Sequence, residues 1–374
     1  RGGYHPKFLA SGHFAYVFEG ALFAAPLNMD RLEAAGAPVQ LLSSVRYANA
    51  GSSFLDIARN GTLVYGKGPS SINVSGGFEV RWLSEGQAKT EPLAAPPELS
   101  FFRLSPDGLR LAYDKRRIGT DGIWIYDVRR ETNTKITFET GGHDPVFSPD
   151  GKHIYFSAKD GLYWARADGA AQPQRILEGA GLVPTSLSPD SRRLLYFSGS
   201  VATSCFLLPL EPAADRAGAP RAAKPQPILE PDASFAAFSP DGKWIAYQVG
   251  RVNSVVFVRS YPDRGAKWQI NGKEPGFKPV WSPAGRQLFY FSGFGRPWVV
   301  DYSTKGDSFE AGKQRLWLDV SVGGPGTSSI QPSPDGKRLA ANVRRGVTDE
   351  AAAATKSYVL LNFLDEVRRK ARSK

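Results

Sequence analysis

Five aspartates recur in this chain at nearly the same place in a short turn motif, and a repeated carboxylate is the first feature that could do chemistry. They are Asp107, Asp150, Asp190, Asp241 and Asp335. Each follows Ser-Pro, so its carboxylate can accept hydrogen bonds within its own turn. Because each turn belongs to a different repeat, we expect the carboxylates to lie far apart. We interpret them as turn-forming residues rather than as a catalytic array.

The histidines and the cysteine indicate little further chemistry. Of the four histidines only His143 stands next to an acid, Asp144, and we interpret this pair as the end of a solvated loop. Cys205 is the only cysteine, which excludes an internal disulfide and a site built from several thiolates. Metal-ligand spacings, a Gly-x-Ser-x-Gly motif and kinase catalytic motifs are absent from the sequence. We therefore predict no catalytic residue, no metal site and no cofactor.

The turn motif itself indicates the architecture. Pro presets φ at the first corner of the turn, Asp bonds its own backbone, and Gly takes the left-handed position. Apolar, strand-forming residues on both sides of each turn predict a β-hairpin. The motif and its close variants occupy residues 105–108, 148–151, 188–191, 239–242, 282–285 and 333–336.

Two weaker copies, ending at Gly12 and Gly61, bring the number of repeats to eight, at intervals of 40 to 51 residues. Such a period, rich in short strands, indicates a β-propeller with one four-stranded blade per repeat. We predict an all-β, eight-bladed β-propeller of four-stranded antiparallel blades over residues 1–364, with seven blades as the alternative, and a basic tail over 365–374. The predicted blades span residues 4–45, 52–94, 99–139, 143–179, 183–230, 233–272, 276–320 and 328–364.

The closure of the predicted ring is left open by the sequence. The eighth repeat has no fourth strand before the charged tail, although a ring must close. The missing strand could come from the far N-terminus or from residues beyond this sequence. Side-chain packing between the first and last blades is the remaining possibility.

Composition and charge limit the classes of partner. The net charge is +11, but five of the basic residues lie within the last seven positions, so the body of the chain is only moderately basic. The aromatic residues follow the strand pattern rather than alternate with basic residues, so we predict no nucleic-acid partner. No run approaches the roughly 18 apolar residues of a membrane-spanning helix. The chain begins at Arg1 without a leader, and we expect it to be part of a longer protein that could itself be membrane-anchored.

Aligning the repeats predicts which side chains line the central channel, since the first strand of each blade is the innermost. Two positions of that strand, two and four residues before the turn serine, carry most of the polar candidates, together with Phe54, Phe101 and Phe235. We predict one polar sector of mixed charge that could bind a small ligand or a peptide, the alternative being a water-filled channel of satisfied ion pairs. The candidate binding residues are Lys7, Asp56, Arg103, Gln331, His5, Asp144 and Lys278.

The repeat Phe/Trp-Ser-Pro-Asp-Gly-Lys-x-Ile-x-Phe/Tyr resembles the WD-like repeat of the TolB propeller family. TolB itself has an N-terminal α/β domain and fewer repeats, whereas the first repeat here begins within ten residues of the start. A narrower resemblance is to the propeller that lies C-terminal to the membrane span in many bacterial serine/threonine protein kinases, and to its secreted relatives. It is carried by residues 22–27, 31–33, 36–39, 60–65 and 267–270.

The resemblance implies a function rather than a chemistry. It suggests a non-catalytic, periplasmic or otherwise extracytoplasmic recognition or scaffold propeller that binds a protein, peptide or small ligand at its channel face. Two alternatives remain open at this stage: a structural subunit of a larger envelope assembly, and a propeller enzyme of the lactonase or lyase type. Since propellers of this kind serve many functions, the fold alone does not decide between them.

Overall fold

A computed structural model of the chain defines its architecture. Its strands form two compact units: unit 1, Arg1–Gly77 with Arg345–Lys374, and unit 2, Phe78–Arg344. The structure describes residues 4–18, 21–28, 31, 33–43, 45, 47–48, 52–53, 55–58, 60–67, 78–86, 90–93, 95–96, 99, 101–115, 122–137, 141–199, 203–213, 218–262, 265–292, 295–320, 322, 329–344 and 356–372.

Nearly all of the regular structure is β-strand. In chain order the elements are β1 Tyr4–Leu9, β2 His13–Phe18, β3 Ala21–Asn28, β4 Glu33–Ala34, β5 Val39–Leu42, β6 Tyr47–Ala48, β7 Ser52–Ser53, β8 Leu55–Ile57, β9 Leu63–Lys67, β10 Phe78–Ser84, β11 Glu91–Pro92, β12 Phe101–Leu104, β13 Arg110–Lys115, β14 Gly122–Asp127, β15 Thr132–Lys135, β16 His143–Phe147, β17 His153–Ala158, β18 Gly161–Arg166, β19 Gln174–Glu178, β20 Leu182–Leu187, β21 Arg193–Ser198, β22 Ser204–Glu211, β23 Arg221–Ala222, β24 Gln226–Pro227, β25 Ala233–Phe238, β26 Trp244–Val249, β27 Val255–Ser260, β28 Lys267–Gln269, β29 Gly276–Trp281, β30 Gln287–Ser292, β31 Pro297–Lys305, β32 Ser308–Ala311, β33 Arg315–Leu316, β34 Ile330–Pro332, β35 Arg338–Arg344, β36 Lys356–Leu360 and helix α1 Phe363–Arg372.

The described strands of unit 2 form six antiparallel sheets. Five are built from consecutive strands: β12 to β15, β16 to β19, β20 to β24, β25 to β28, and β29 to β33. The innermost strands contact one another in the cyclic order β12, β16, β20, β25, β29, β34 and back to β12. Unit 2 is therefore a closed ring of six sheets around a central axis.

The sixth sheet joins the two ends of unit 2. Its strand order is β11-β10-β35-β34, so two strands come from the start of the unit and two from its end. β10 and β35 pair along their whole length, with Leu83 opposite Leu339 and Val80 opposite Asn342. The sheet thus unites residues that the repeat pattern assigned to the second and eighth blades. The strands that close the ring are β10 and β11, at residues 78–92, rather than a strand from the far N-terminus, so this closure is not among the routes that the sequence analysis named.

The repeated turn is held by the same side-chain hydrogen bonds in five of the six sheets of unit 2, the exception being the turn at 282–285, where alanine replaces the aspartate. In the turn at residues 148–151, the Ser148 hydroxyl donates to Asp150 over 2.6 Å and accepts the His153 backbone amide over 3.0 Å. Gly151 has φ +68°, in the left-handed region that favours glycine. At the equivalent Gly108 an added Cβ would lie 2.9 Å from the Pro334 ring of the preceding turn. Turns of adjacent sheets therefore pack directly on one another.

The core of unit 2 lies between neighbouring sheets. One cluster packs Ile123 and Ile125 of one sheet against Ile154 and Phe156 of the next. Another packs Trp244, which is 2% exposed, against residues of the following sheet that include Trp281. Burial of each such side chain contributes about 1.5–3 kcal/mol. Strands in the middle of the sheets, such as β17 and β18, are buried at nearly every position because both faces of these sheets pack against a neighbouring sheet.

Unit 1 has its own sheets and its own core. β1, β2 and β3 form one sheet to which β4 and β5 add by pairing with β3, β36-β9-β8 form a second, and β6 pairs with β7. Helix α1 buries Phe363 and Val367 in a cluster that includes Leu22 and Leu63. Much of the predicted basic tail thus belongs to a helix. No helix in the described part of the chain is long and apolar enough to cross a membrane.

Candidate functional site

A cavity of about 350 Å³ lies at the centre of unit 2. Three of the sequence-predicted residues line it: Arg103 from β12, Gln331 from β34 and Lys278 from β29. These strands are consecutive around the ring, so the three side chains occupy one continuous sector. Asp144, on β16, does not line the cavity, but its charge acts on Arg103.

Bulges in the innermost strands place several of these side chains. The register of β16, β25 and β29 shifts at equivalent positions of the repeat. The residues there are Asp144, Phe235 and Lys278, with φ values of +53°, +50° and +48°. A left-handed conformation costs a residue with a Cβ about 1–2 kcal/mol, and bulges commonly redirect side chains next to functional sites. The bulge recurs with three different residue types, so it is a feature of the repeat that sets where each of these residues lies in its inner strand.

The bulge at Lys278 is stabilised by a hydrogen bond from the neighbouring sheet. Its backbone amide donates to the Gln248 Oε1 atom over 2.8 Å, and the Gln248 side chain is buried on the neighbouring sheet. A buried amide acceptor satisfies the backbone donor that the bulge removes from the ladder. The position of Lys278 is therefore defined by two sheets.

Two cations share one aromatic ring in the cavity. The Arg103 Cζ atom lies 5.2 Å from the centroid of the Phe101 ring, and the Lys278 Nζ atom lies 5.9 Å from the same centroid. Lys278 Nζ also lies 5.2 Å from the Phe235 ring. Cation–π contacts of this kind attract each cation to the face of the aromatic ring. The result is a positive cluster with aromatic walls.

Arg103 is incompletely hydrogen-bonded. Its Nη2 atom reaches across the cavity to the Thr185 carbonyl oxygen over 3.4 Å, a long contact for a hydrogen bond. Its Nε atom is buried and has no acceptor among the described residues. Burial lowers the pKa of Arg103 to about 10, and the nearby Asp144 carboxylate acts in the opposite direction. The side chain keeps partial exposure because it borders the cavity.

Most hydroxyl groups in the cavity wall already bind the backbone. Thr185 donates to the Ala236 carbonyl oxygen over 2.7 Å, and Ser329 donates to the Phe102 carbonyl oxygen over 2.9 Å. Ser186 accepts the backbone amide of the next inner strand over 3.1 Å. These groups tie neighbouring sheets together. Capacity for binding a ligand therefore lies mainly with the cations and Gln331.

The repeated turns contribute the other end of the cavity. Sequence reasoning treated their prolines only as turn formers, and it missed Trp281, which also lines the cavity and donates to the Ala237 carbonyl oxygen over 2.9 Å. The signal was available, since the prolines follow the channel position by a constant spacing in the repeat. The lining prolines of the turns are Pro106, Pro149, Pro189, Pro240 and Pro283.

The other predicted residues belong to unit 1. The Lys7 Nζ atom and the Asp56 Oδ1 atom form an ion pair of 2.8 Å, with side chains 40% and 76% exposed. Such exposed pairs contribute little because solvent screens them. His5 lies on β1, but its side chain is outside the described residues, as is Phe54. The seven candidates thus fall in two units rather than in one described site.

The predicted His143–Asp144 loop end lies instead at the start of β16. The His143 Nδ1 atom is 2.8 Å from the Asp144 Oδ2 atom. This contact anchors the Asp144 carboxylate at the bulge, where its charge also reaches Arg103. Its geometry is that of a positioning contact for the acid.

No family model and no curated protein matches the sequence. Among solved structures, a putative TolB from Agrobacterium tumefaciens superposes with a TM-score of 0.54 at 17% identity, covering 72% of this chain and 99% of its own. TolB from Acinetobacter baumannii gives 0.39 at 15% identity, over 77% of this chain and 78% of its own. An oligogalacturonate lyase from Vibrio parahaemolyticus gives 0.43 at 11% identity, over 72% and 98%.

The chain contains a β-propeller. The closed ring of antiparallel sheets in unit 2 and the superposition on the Agrobacterium TolB structure together establish this. The predicted all-β propeller class and the TolB-like resemblance are thereby confirmed at the level of fold. The count of eight blades is not confirmed, since the ring of unit 2 has six sheets. The narrower likeness to kinase-linked propellers stays a prediction.

Proposed function

We propose that this chain is a non-catalytic recognition or scaffold module whose propeller binds a small ligand or a peptide segment in the central cavity of unit 2. The observation that carries the proposal is the Arg103 guanidinium, which lines the cavity and makes only a long hydrogen bond of 3.4 Å, to the Thr185 carbonyl oxygen, among the described residues. A buried donor left without a good acceptor costs about 1–3 kcal/mol. A ligand that supplies acceptors to the terminal guanidinium nitrogens would recover part of that cost.

The strained backbone supports the same proposal. Lys278 has φ +48°, and its backbone amide is held by a buried hydrogen bond to Gln248. The Lys278 side chain lines the cavity. Strain held by surrounding structure is typical of binding sites.

The chemistry of the cavity favours binding over catalysis. Among the described residues that line it, the titratable side chains are Arg103 and Lys278, and both are cations suited to holding an anion. The wall hydroxyls are engaged with backbone groups. The proposed extracytoplasmic location and the protein or peptide partner rest on the sequence resemblance to kinase-linked and secreted propellers.

The experiment fills the cavity by a substitution and measures whether the protein then loses its bound small molecule or peptide. Ala237 borders the cavity, and Ala237→Phe would occupy it. Ala170→Phe, at an exposed position between β18 and β19, is the matched control. The wild type and both variants are purified from the organism that naturally makes the protein, and each is also incubated with a random peptide library. Native mass spectrometry then measures what remains bound, with folding checked by circular dichroism.

We expect the wild type and the control to retain a bound small molecule or peptide that the folded Ala237→Phe protein lacks. Equal retention by the folded Ala237→Phe protein would place binding outside the cavity. A wild type that carries nothing and selects no peptide would also contradict the proposal.

A further inference from the structure

We infer that the ligand of this cavity is a carboxylate carried on an apolar group, with the carboxylate held by Arg103 and Lys278 and the apolar group against Phe101 and Phe235. This inference rests on the proposed function and names its ligand class. It is drawn from the charge, the donors and the walls of the cavity.

The charge of the cavity lining favours a negative group. Arg103 and Lys278 line the cavity and both lie over the Phe101 ring. They are the titratable side chains among the described residues that line the cavity, and both are cations. A ligand with a carboxylate therefore suits this lining better than a neutral or cationic ligand. The low dielectric of a partly enclosed site strengthens the attraction.

The donors favour a planar acceptor. A guanidinium presents its N–H groups in a flat fork that matches a carboxylate with two parallel hydrogen bonds. In the structure Arg103 makes only the long contact of 3.4 Å to the Thr185 carbonyl oxygen. Arg103 lines the cavity and is not fully buried, so its terminal nitrogens can exchange this contact for a carboxylate.

The walls favour an apolar remainder. Phe101 and Phe235 border the cavity at one end, and the turn prolines border it at the other. Its volume of about 350 Å³ is near the lower limit of small-molecule sites. The site therefore suits either a free carboxylic acid or the last residue of a peptide, and both sources present the same chemistry.

The test uses two matched pairs of probes and isothermal titration calorimetry. N-acetylphenylalanine and its amide represent a peptide C-terminus with and without charge, and 4-phenylbutyrate and 4-phenylbutanamide represent a free acid. The variants are Arg103→Gln, Lys278→Gln and the charge-conserving Lys278→Arg. Arg130→Gln, at an exposed turn, is the control.

We expect at least one acid to bind about tenfold or more tightly than its amide, as a charge-assisted hydrogen bond predicts. Arg103→Gln and Lys278→Gln should remove that preference, while Lys278→Arg and Arg130→Gln should keep it. Preference for N-acetylphenylalanine indicates a peptide terminus, and preference for 4-phenylbutyrate indicates a free acid.

Two results would overturn the inference, and they separate it from the proposed function. If acid and amide bind equally and Ala237→Phe abolishes both, the cavity binds ligands but does not select a carboxylate. If no probe binds the wild type, the carboxylate inference fails. The cavity-filling experiment then decides separately whether the proposed function survives.

Discussion

A cysteine pair across the closing sheet gives a sharp prediction about the ring. Ser84 on β10 lies directly opposite Arg338 on β35. Directly opposed residues of antiparallel strands have Cα atoms about 4.5–5.5 Å apart, which suits a disulfide. We expect Ser84→Cys/Arg338→Cys to form a disulfide in the folded protein. The native Cys205 should not compete, because it is buried and burial raises its pKa to about 12.

The expected stabilisation by the disulfide follows from the number of residues in the loop that it closes. Residues 84 and 338 bracket nearly all of unit 2, and a loop of that length predicts a stabilisation of about 5 kcal/mol by chain entropy. The control is His153→Cys/Arg166→Cys, which joins opposed residues of a single hairpin. That short loop predicts only about 3 kcal/mol. The closing disulfide should therefore exceed the hairpin disulfide by about 2 kcal/mol.

The stabilisation by each disulfide is measured as the difference in unfolding free energy between the oxidised and the reduced form of the same protein, from urea denaturation. This comparison cancels the contacts that the substitutions remove, such as the stacking of Arg338 on the Trp82 ring at 4.6 Å. If residues 78–84 instead belonged to a second blade of an eight-bladed ring, the first blade would separate the two cysteines. They would then stay reduced in the native state, and that result would refute the closure described here.

Three further predictions concern single residues. Ser188→Ala should lower the free energy of unfolding by about 1–2 kcal/mol at neutral pH, and the difference should shrink below about pH 4. The Ser188 hydroxyl lowers the pKa of Asp190, so the stabilisation is present above the unfolded-state pKa of the carboxyl and is lost as the carboxylate protonates. Urea titrations from pH 3 to 7 measure the difference in unfolding free energy between wild type and variant. A difference that stays constant over this range would contradict the prediction. Arg103→Gln should leave the melting temperature unchanged or raise it, since it removes a desolvated cation, and calorimetry showing a clear loss would be incompatible with that reasoning. Gly161→Ala should destabilise strongly, because its Cβ would lie 2.1 Å from a carbonyl oxygen of the next strand, whereas Gly285→Ala should be mild; equal denaturation midpoints would contradict this.

The repeat could be predicted from the sequence because its turn chemistry is local. Pro, Asp and Gly each perform their role within four residues, so six hairpins were identifiable without any partner strand. The closing sheet could not be predicted in the same way. β10 and β35 lie at opposite ends of unit 2, and their pairing is decided by which long-range partner completes a sheet. Counting repeats assigns each hairpin to its own blade, so it cannot detect that strands from the two ends of unit 2 share one sheet.

The candidate site was predicted in part, again for a physical reason. Side chains alternate between the faces of a strand, so a fixed offset from the turn places Arg103 and Gln331 at equivalent positions of their strands. The structure brings both to the cavity, together with Lys278. The bulges have no sequence signature here, since Asp144 and Lys278 adopt positive φ without being glycine. Periodicity alone therefore could not show how these two side chains are directed.

Hydrogen–deuterium exchange with added N-acetylphenylalanine tests the central claim most directly, since it maps where a ligand is held. The account predicts slower amide exchange in the three consecutive inner strands β29, β34 and β12 and unchanged exchange in the outer strand β15. Protection in β15 rather than in the inner strands, or no protection while the probe is bound, would contradict a binding site formed by Arg103, Lys278 and Gln331.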